Sequence, residues 1–209
     1  MDYIGAAKEG EAVYEISRSR FIARIAPVES VEAGLEFVKR IKTEFPDATH
    51  HPFAVTGTPE SGAFRLSDDG EPQGTSGQPI LNVLKKKGLY NTVIVVTRYF
   101  GGIKLGAGGL VQAYSRAATM AAESVPGVKY TLSDIYELSL GYPEFRLLGS
   151  AIRASKAQVF DVNYAENVTA KAAVPVGQCD VFKSGVTNIT EGKEGALKHI
   201  GTKYFTYTR

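Results

Sequence analysis

Several absences narrow what this 209-residue chain can be. It has one cysteine, Cys179, so an internal disulfide is excluded and a reducing compartment is expected. There is no tryptophan and there are only two methionines. Three histidines, His50, His51 and His199, with one cysteine cannot build the spacing of a zinc site. The longest apolar run, around Val93–Val96, falls far short of the roughly 20 residues that a bilayer span needs. Met1-Asp2-Tyr3-Ile4-Gly5 has neither a basic stretch nor an apolar core of the export-signal type. Excess charge is missing too, since 24 basic and 22 acidic residues leave a net +2. The balance is 15 against 14 up to Lys129 and 9 against 8 beyond it, so neither half is a basic tail. A soluble, cytoplasmic protein with no membrane contact is expected.

What is present is a chain able to bury a core, with 44% hydrophobic residues. The first half alternates strand and helix patterns. A strand is predicted over Tyr14–Ala26, and after Ser30 as N-cap a helix with Val31, Leu35, Val38, Ile41 and Phe45 on one stripe, ended by Pro46. Strands follow over Thr49–Gly57 and Ala63–Leu66, then a short helix from Pro79 to Gly88. Val93-Ile94-Val95-Val96 has no polar alternation, the pattern of a strand buried on both faces. Gly101–Gly109 reads as a loop running into a helix that buries Leu110, Tyr114, Ala117 and Ala121.

Pro126-Gly127 is the best boundary, giving domains at 1–128 and 129–209. The second half reads as a strand through Tyr130–Leu140, then a helix from Pro143. Strands through Phe160–Tyr164 and Val168–Val174 follow, then a helix carrying Cys179, Phe182, Val186 and Ile189. A strand at Tyr204–Thr208 is last. The order β-α-β-β-α-β in about 80 residues is that of a ferredoxin-like module.

Two loops carry the residues that could do chemistry. Ser67–Gly77 holds Asp68, Asp69 and Glu71 with three glycines, and it could be a divalent-cation site, a general base or simply an exposed turn. Thr97–Gly109 holds five glycines between a buried strand and a helix, with Arg98 and Lys104 in the same segment. Glycine permits close approach, and free N–H groups at a helix start favour an anion. Arg98, Gly101, Gly102, Lys104, Gly106, Gly108 and Gly109 are therefore the candidate phosphate-binding residues. The alternative is a tight turn with Arg98 paired to an aspartate of the acidic loop. The string is neither a Walker loop nor a Rossmann fingerprint. Lys85-Lys86-Lys87 either extends a basic patch or is a solvated helix end. No catalytic nucleophile, resident metal or cofactor can be nominated.

These loops resemble a known family. Ser67-Asp68-Asp69-Gly70-Glu71-Pro72 with Gly74-Thr75 and Gly77, and Val95-Val96-Thr97-Arg98-Tyr99-Phe100-Gly101-Gly102-Ile103-Lys104-Leu105-Gly106-Ala107-Gly108-Gly109-Leu110, look like the signature of the IMPACT/YigZ family. Ser19-Arg20-Phe21-Ile22 and Ala48-Thr49-His50 fit its shorter motifs. The resemblance implies a two-domain α+β protein. Its first domain would be an α/β sandwich with a left-handed βαβ crossover. That domain is similar to the second domain of small-subunit ribosomal protein five and to domain IV of elongation factor G. The second domain would be ferredoxin-like, similar to domain V of that factor. Eukaryotic relatives regulate translation by competing for the activator of a starvation-responsive kinase, aided by a separate domain that is not among these residues. Where relatives commonly read His-Asn-Cys after Ala-Thr, this chain has His50-His51-Pro52, which removes that cysteine. The function expected is a translation-associated regulator binding RNA, the ribosome or another phosphate-bearing partner. Alternatives are an enzyme acting on a phosphorylated or nucleotide substrate, with the acidic loop holding Mg²⁺ or acting as base, and a protein–protein adaptor.

Overall fold

The computed structural model describes residues Asp2–Tyr207, which form two compact units divided between Lys129 and Tyr130. In the first unit, β1 (Tyr3–Ala6) precedes β2 (Gly10–Ile16) and β3 (Ser19–Pro27). These are followed by α1 (Val31–Glu44), β4 (Phe53–Thr56), β5 (Phe64–Ser67), α2 (Gly77–Lys87), β6 (Thr92–Tyr99) and α3 (Gly106–Glu123). The sheet runs β2-β3-β6-β4-β5, and every neighbouring pair is antiparallel.

The single strand expected over Tyr14–Ala26 is instead the hairpin β2–β3. Its two turn residues, Ser17 and Arg18, have φ of 48° and 60°. Positive φ at both positions is what a two-residue hairpin turn demands. α1 begins as expected, with the Ser30 hydroxyl accepting the Ala33 N–H at 3.1 Å. α2 ends on left-handed Gly88, with φ of 63°.

The hand of the crossovers follows from pairing and packing alone. β3 and β4 both lie antiparallel to β6, so they are parallel to each other and α1 crosses between them. β5 and β6 both lie antiparallel to β4, so α2 makes a second crossover, in the reverse direction along the sheet and between strands running the opposite way. The two reversals cancel, so crossovers over one face would share a hand. Here Phe37, Val38 and Ile41 of α1 pack with Val55, Val93 and Val95. Ile80, Leu81 and Leu84 of α2 pack on the other face with Ala54, Ile94 and Val96, beside Tyr114 and Ala117 of α3. One of the two crossovers is therefore left-handed, an exception to the usual rule.

The second unit contains most of β7 (Gly127–Leu140), α4 (Tyr142–Ser155), β8 (Gln158–Tyr164), β9 (Val168–Pro175), α5 (Cys179–Ile189) and β10 (Leu197–Thr206). Its strands are ordered β8-β9-β7-β10, all antiparallel, which is the ferredoxin-like arrangement. Leu148 of α4 and Phe182 of α5 share one core with Tyr136, Leu138 and Val174, so both helices cover the same face. The last strand begins seven residues before the expected Tyr204, and Thr208 lies outside the described residues. A register shift between His199 and Gly201 interrupts the alternation that would have marked its start.

Candidate functional site

The acidic loop directs each of its carboxylates into the fold. Asp68 accepts from the backbone N–H of Gly74 (2.8 Å), Ser76 (3.1 Å) and Gly77 (2.9 Å) and from the Ser76 hydroxyl (2.8 Å). It thereby caps α2 from eight and nine residues upstream, in place of a cap by Ser76 itself. Burial works to raise the carboxyl pKa, but these hydrogen bonds together outweigh it and hold Asp68 below the ordinary carboxylate range. Asp69 accepts from Lys42 Nζ (2.6 Å) and the His51 N–H (2.7 Å), while its carbonyl lies 2.8 Å from His50 Nδ1. Here too the partners, chiefly Lys42, outweigh desolvation and lower the pKa.

Replacing Asp68 with alanine strips the cap, and a loss of about 1–2 kcal/mol is expected in chemical denaturation. The pH dependence has a fixed sign. A folded pKa below the unfolded one contributes stability that is complete above about pH 5 and fades as pH falls through the folded value. The Asp68→Ala protein should therefore lose less stability than the parent between about pH 5 and pH 2.

Glu71 is the loop residue that meets Arg98. Their side chains form an ion pair, Arg98 Nη1 to Glu71 Oε1 at 2.6 Å, with the two residues only 5% and 8% exposed. Tyr114 of α3 donates its hydroxyl to the same oxygen at 2.7 Å. Burial, then the hydrogen bond to Glu71, push the Tyr114 phenol far up, which keeps it a donor. The Arg98 guanidinium lies 5.4 Å from the ring centres of both Phe21 and Phe100, and its Nε is buried without a partner among the described residues. The structure thus pairs Arg98 with Glu71 rather than with Asp68 or Asp69, and buries it. Sequence reasoning missed Tyr114 as a member of this group. The signal was a hydroxyl on an otherwise apolar helical face.

The glycine-rich segment is shorter as a loop than expected, because α3 already begins at Gly106. Gly101 is dictated by packing, since a Cβ there would sit 2.0 Å from the Arg18 backbone; its N–H donates to Ser19 Oγ at 3.2 Å. Gly102 and Gly106 have φ of 83° and 69°. Gly108 is different. Its φ is not positive and a Cβ would meet nothing within 4 Å, so neither strain nor crowding calls for glycine. Gly109 is half-buried, its Cβ position 3.1 Å from Leu105 Cβ. No side chain caps the start of α3, and its first turn carries no acidic residue. Exposed Lys104 precedes this start by two residues, next to exposed Ile103 and four residues after exposed Phe100. The result is an open helix start with unopposed N–H groups, a lysine and apolar side chains beside it.

The lysine run lies elsewhere. Lys87 pairs with Glu123 at 2.8 Å, at the opposite end of α3 and about 25 Å along its axis from Gly106. Lys85 sits over the Phe64 ring at 4.7 Å. His51 is buried with Nε2 3.1 Å from the Phe45 carbonyl. In the second unit Cys179 is buried and donates to Asp134 Oδ2 at 3.3 Å. Burial, then that carboxylate, raise the thiol pKa, so Cys179 is held as a neutral thiol. His199 Nε2 lies 3.3 Å from the other Asp134 oxygen. Among the described residues, no group of three or more His, Cys, Asp or Glu side chains is placed to hold a metal ion, and no helix is long and apolar enough to cross a membrane.

Known proteins resemble this chain along most of its length. The Impact N-terminal domain matches residues 17–122, which include both loops, and the Domain of unknown function (DUF1949) matches residues 138–193. The chain is 35% identical to the IMPACT family member YvyE of Bacillus subtilis (strain 168), over 95% of this chain and 93% of the relative. It is 35% identical to the IMPACT family member YigZ of Escherichia coli (strain K12), over 86% and 89%. A crystal structure described only as that of a hypothetical protein superposes with a TM-score of 0.67 at 31% identity, covering 95% of this chain and 96% of that one. With near-full-length relatives and a matching first domain that carries both loops, this chain belongs to the IMPACT family.

Proposed function

We propose that this protein is a translation-associated regulator that binds RNA of the ribosome or its subunits through the start of α3. The observation that carries the reading is Gly108. A glycine inside the first helical turn costs stability relative to alanine, roughly 0.5–1 kcal/mol, and the fold asks for none there. Close approach of an outside group to the backbone accounts for it. The group would be an anion, because the four leading N–H groups are uncapped, no carboxylate stands in the first turn, and Lys104 is exposed beside them. Exposed Phe100 and Ile103 add apolar contact of the kind that bases and sugars accept. The translation-factor-like domains that the family resemblance implies support the ribosome as the source of phosphate.

Arg98 has a different part in this reading. It anchors the end of β6 under Phe100 and so positions the turn, leaving Lys104 and the α3 amides to touch phosphate. The test is co-sedimentation with purified ribosomes and subunits over a salt series. Binding at low salt that falls steeply as salt rises is expected, with Lys104→Ala reducing the log–log slope by about one. No association at low salt would overturn the proposal.

A further inference from the structure

The second unit carries a surface that the α3 site does not use. α4 places Tyr142, Arg146, Gly149 and Arg153 at i, i+4, i+7 and i+11, one stripe about 16 Å long. Arg146, Arg153 and Lys156 are exposed and make no ion pair or side-chain hydrogen bond among the described residues. Gly149 leaves room on the stripe, with Arg153 Nη1 3.3 Å from where its Cβ would stand. The one carboxylate on α4, Glu144, is already hydrogen-bonded to the Gly141 N–H.

At the head of the stripe are two exposed tyrosines. Tyr142 is 49% exposed and Tyr164 63%, and their rings are stacked at 6.4 Å with 26° between planes. Both are held in place. The Tyr142 hydroxyl donates to the Ala165 carbonyl at 2.9 Å, and Phe145 meets Tyr164 edge-on at 6.1 Å. Leu147, beside Arg146, is 62% exposed. Glu166 follows in the turn after Tyr164, and Asp161 of β8 is paired with Lys171 at 2.8 Å.

We infer that this face of α4 binds single-stranded RNA, with phosphates on Arg146, Arg153 and Lys156 and an unstacked base on the Tyr142–Tyr164 pair. Two unpaired cations in line along a helix, with a third at its C-cap, match a polyanion, and fixed, exposed aromatic rings are what unpaired bases stack on. An acidic peptide would use the charges but leave the tyrosines without a role. A duplex keeps its bases stacked inside and offers them nothing.

The test is fluorescence anisotropy of the full chain with a labelled single-stranded oligouridylate of about twelve nucleotides. The same titration is run with an RNA duplex and with a labelled polyglutamate peptide. The single strand is expected to bind best. The Arg146→Gln/Arg153→Gln/Lys156→Gln protein should lose about two from the salt slope, at about 0.7 per single-strand phosphate. Tyr164→Ala should weaken binding about tenfold or more at unchanged slope, and Tyr164→Phe should restore it. All four side chains are exposed, so unchanged melting curves would confirm that the variants fold. Wild-type slope and affinity in both variant sets would overturn the inference, as would equal affinity for polyglutamate. Loss of oligonucleotide binding in a Lys104→Ala protein but not in the α4 variants would also overturn it, while leaving the α3 proposal standing.

Discussion

Glu71→Ala should destabilise the first unit by about 3–5 kcal/mol, the usual consequence of leaving one member of a buried ion pair without its partner. Arg98 is only 5% exposed and its Nε has no partner already, so the charge stranded by the substitution has nowhere to turn. Tyr114 would lose the acceptor for its buried hydroxyl at the same time. The decisive comparison is with the apolar triple replacement Arg98→Met/Glu71→Met/Tyr114→Phe. Removing the whole group together leaves no orphan, and it should recover most of the loss. Urea titrations of the three proteins measure this directly. A Glu71→Ala protein as stable as the parent would show that the ion pair is not buried as described. The same logic governs functional tests at this position. Arg98→Ala would strand Glu71, so a loss of binding in that variant would report unfolding rather than contact.

Gly108→Glu should leave the fold as stable as the parent or slightly better, yet weaken ribosome binding by about tenfold or more. The stability half follows from open space around residue 108, the better helix propensity of glutamate and its favourable place near a helix N-terminus. Its binding half follows because the new carboxylate stands where the phosphate is proposed to sit and repels it. Gly108→Ala separates charge from size. It should gain roughly 0.5–1 kcal/mol in stability and still weaken binding, because its methyl group hinders the close approach to the backbone, though by less than the glutamate variant. Few substitutions are expected to raise stability and lower function together, which makes this pair informative.

Much of the architecture was legible in the sequence because it rests on local signals. Ser30 with its apolar stripe marked α1, the unbroken Val93–Val96 run marked the central strand, and the β-α-β-β-α-β order marked the second unit. The β2–β3 turn was not legible, since Ser17-Arg18 takes positive φ without the glycine or asparagine that usually announces it. β10 was read too short because Lys198, His199 and Gly201 break its apolar alternation at the register shift. The two loops were legible by composition, but their internal wiring was not. Asp68 and Glu71 are three residues apart and serve different elements, one capping α2 and the other meeting Arg98, 27 residues on, and Tyr114, 43 residues on. Which carboxylate meets which partner is settled by sheet pairing and helix packing, and no spacing rule encodes that.

The central claim is that the start of α3 is a phosphate contact rather than a packing turn. The measurement that tests it most directly is ribosome co-sedimentation across a salt series for the parent, Gly108→Ala and Gly108→Glu proteins, beside their melting curves. The account predicts salt-sensitive binding by the parent, weakened in the alanine protein and lost by the glutamate protein, with no protein less stable than the parent. Equal binding by the parent and the glutamate protein would contradict it and return Gly101–Gly109 to a purely structural role.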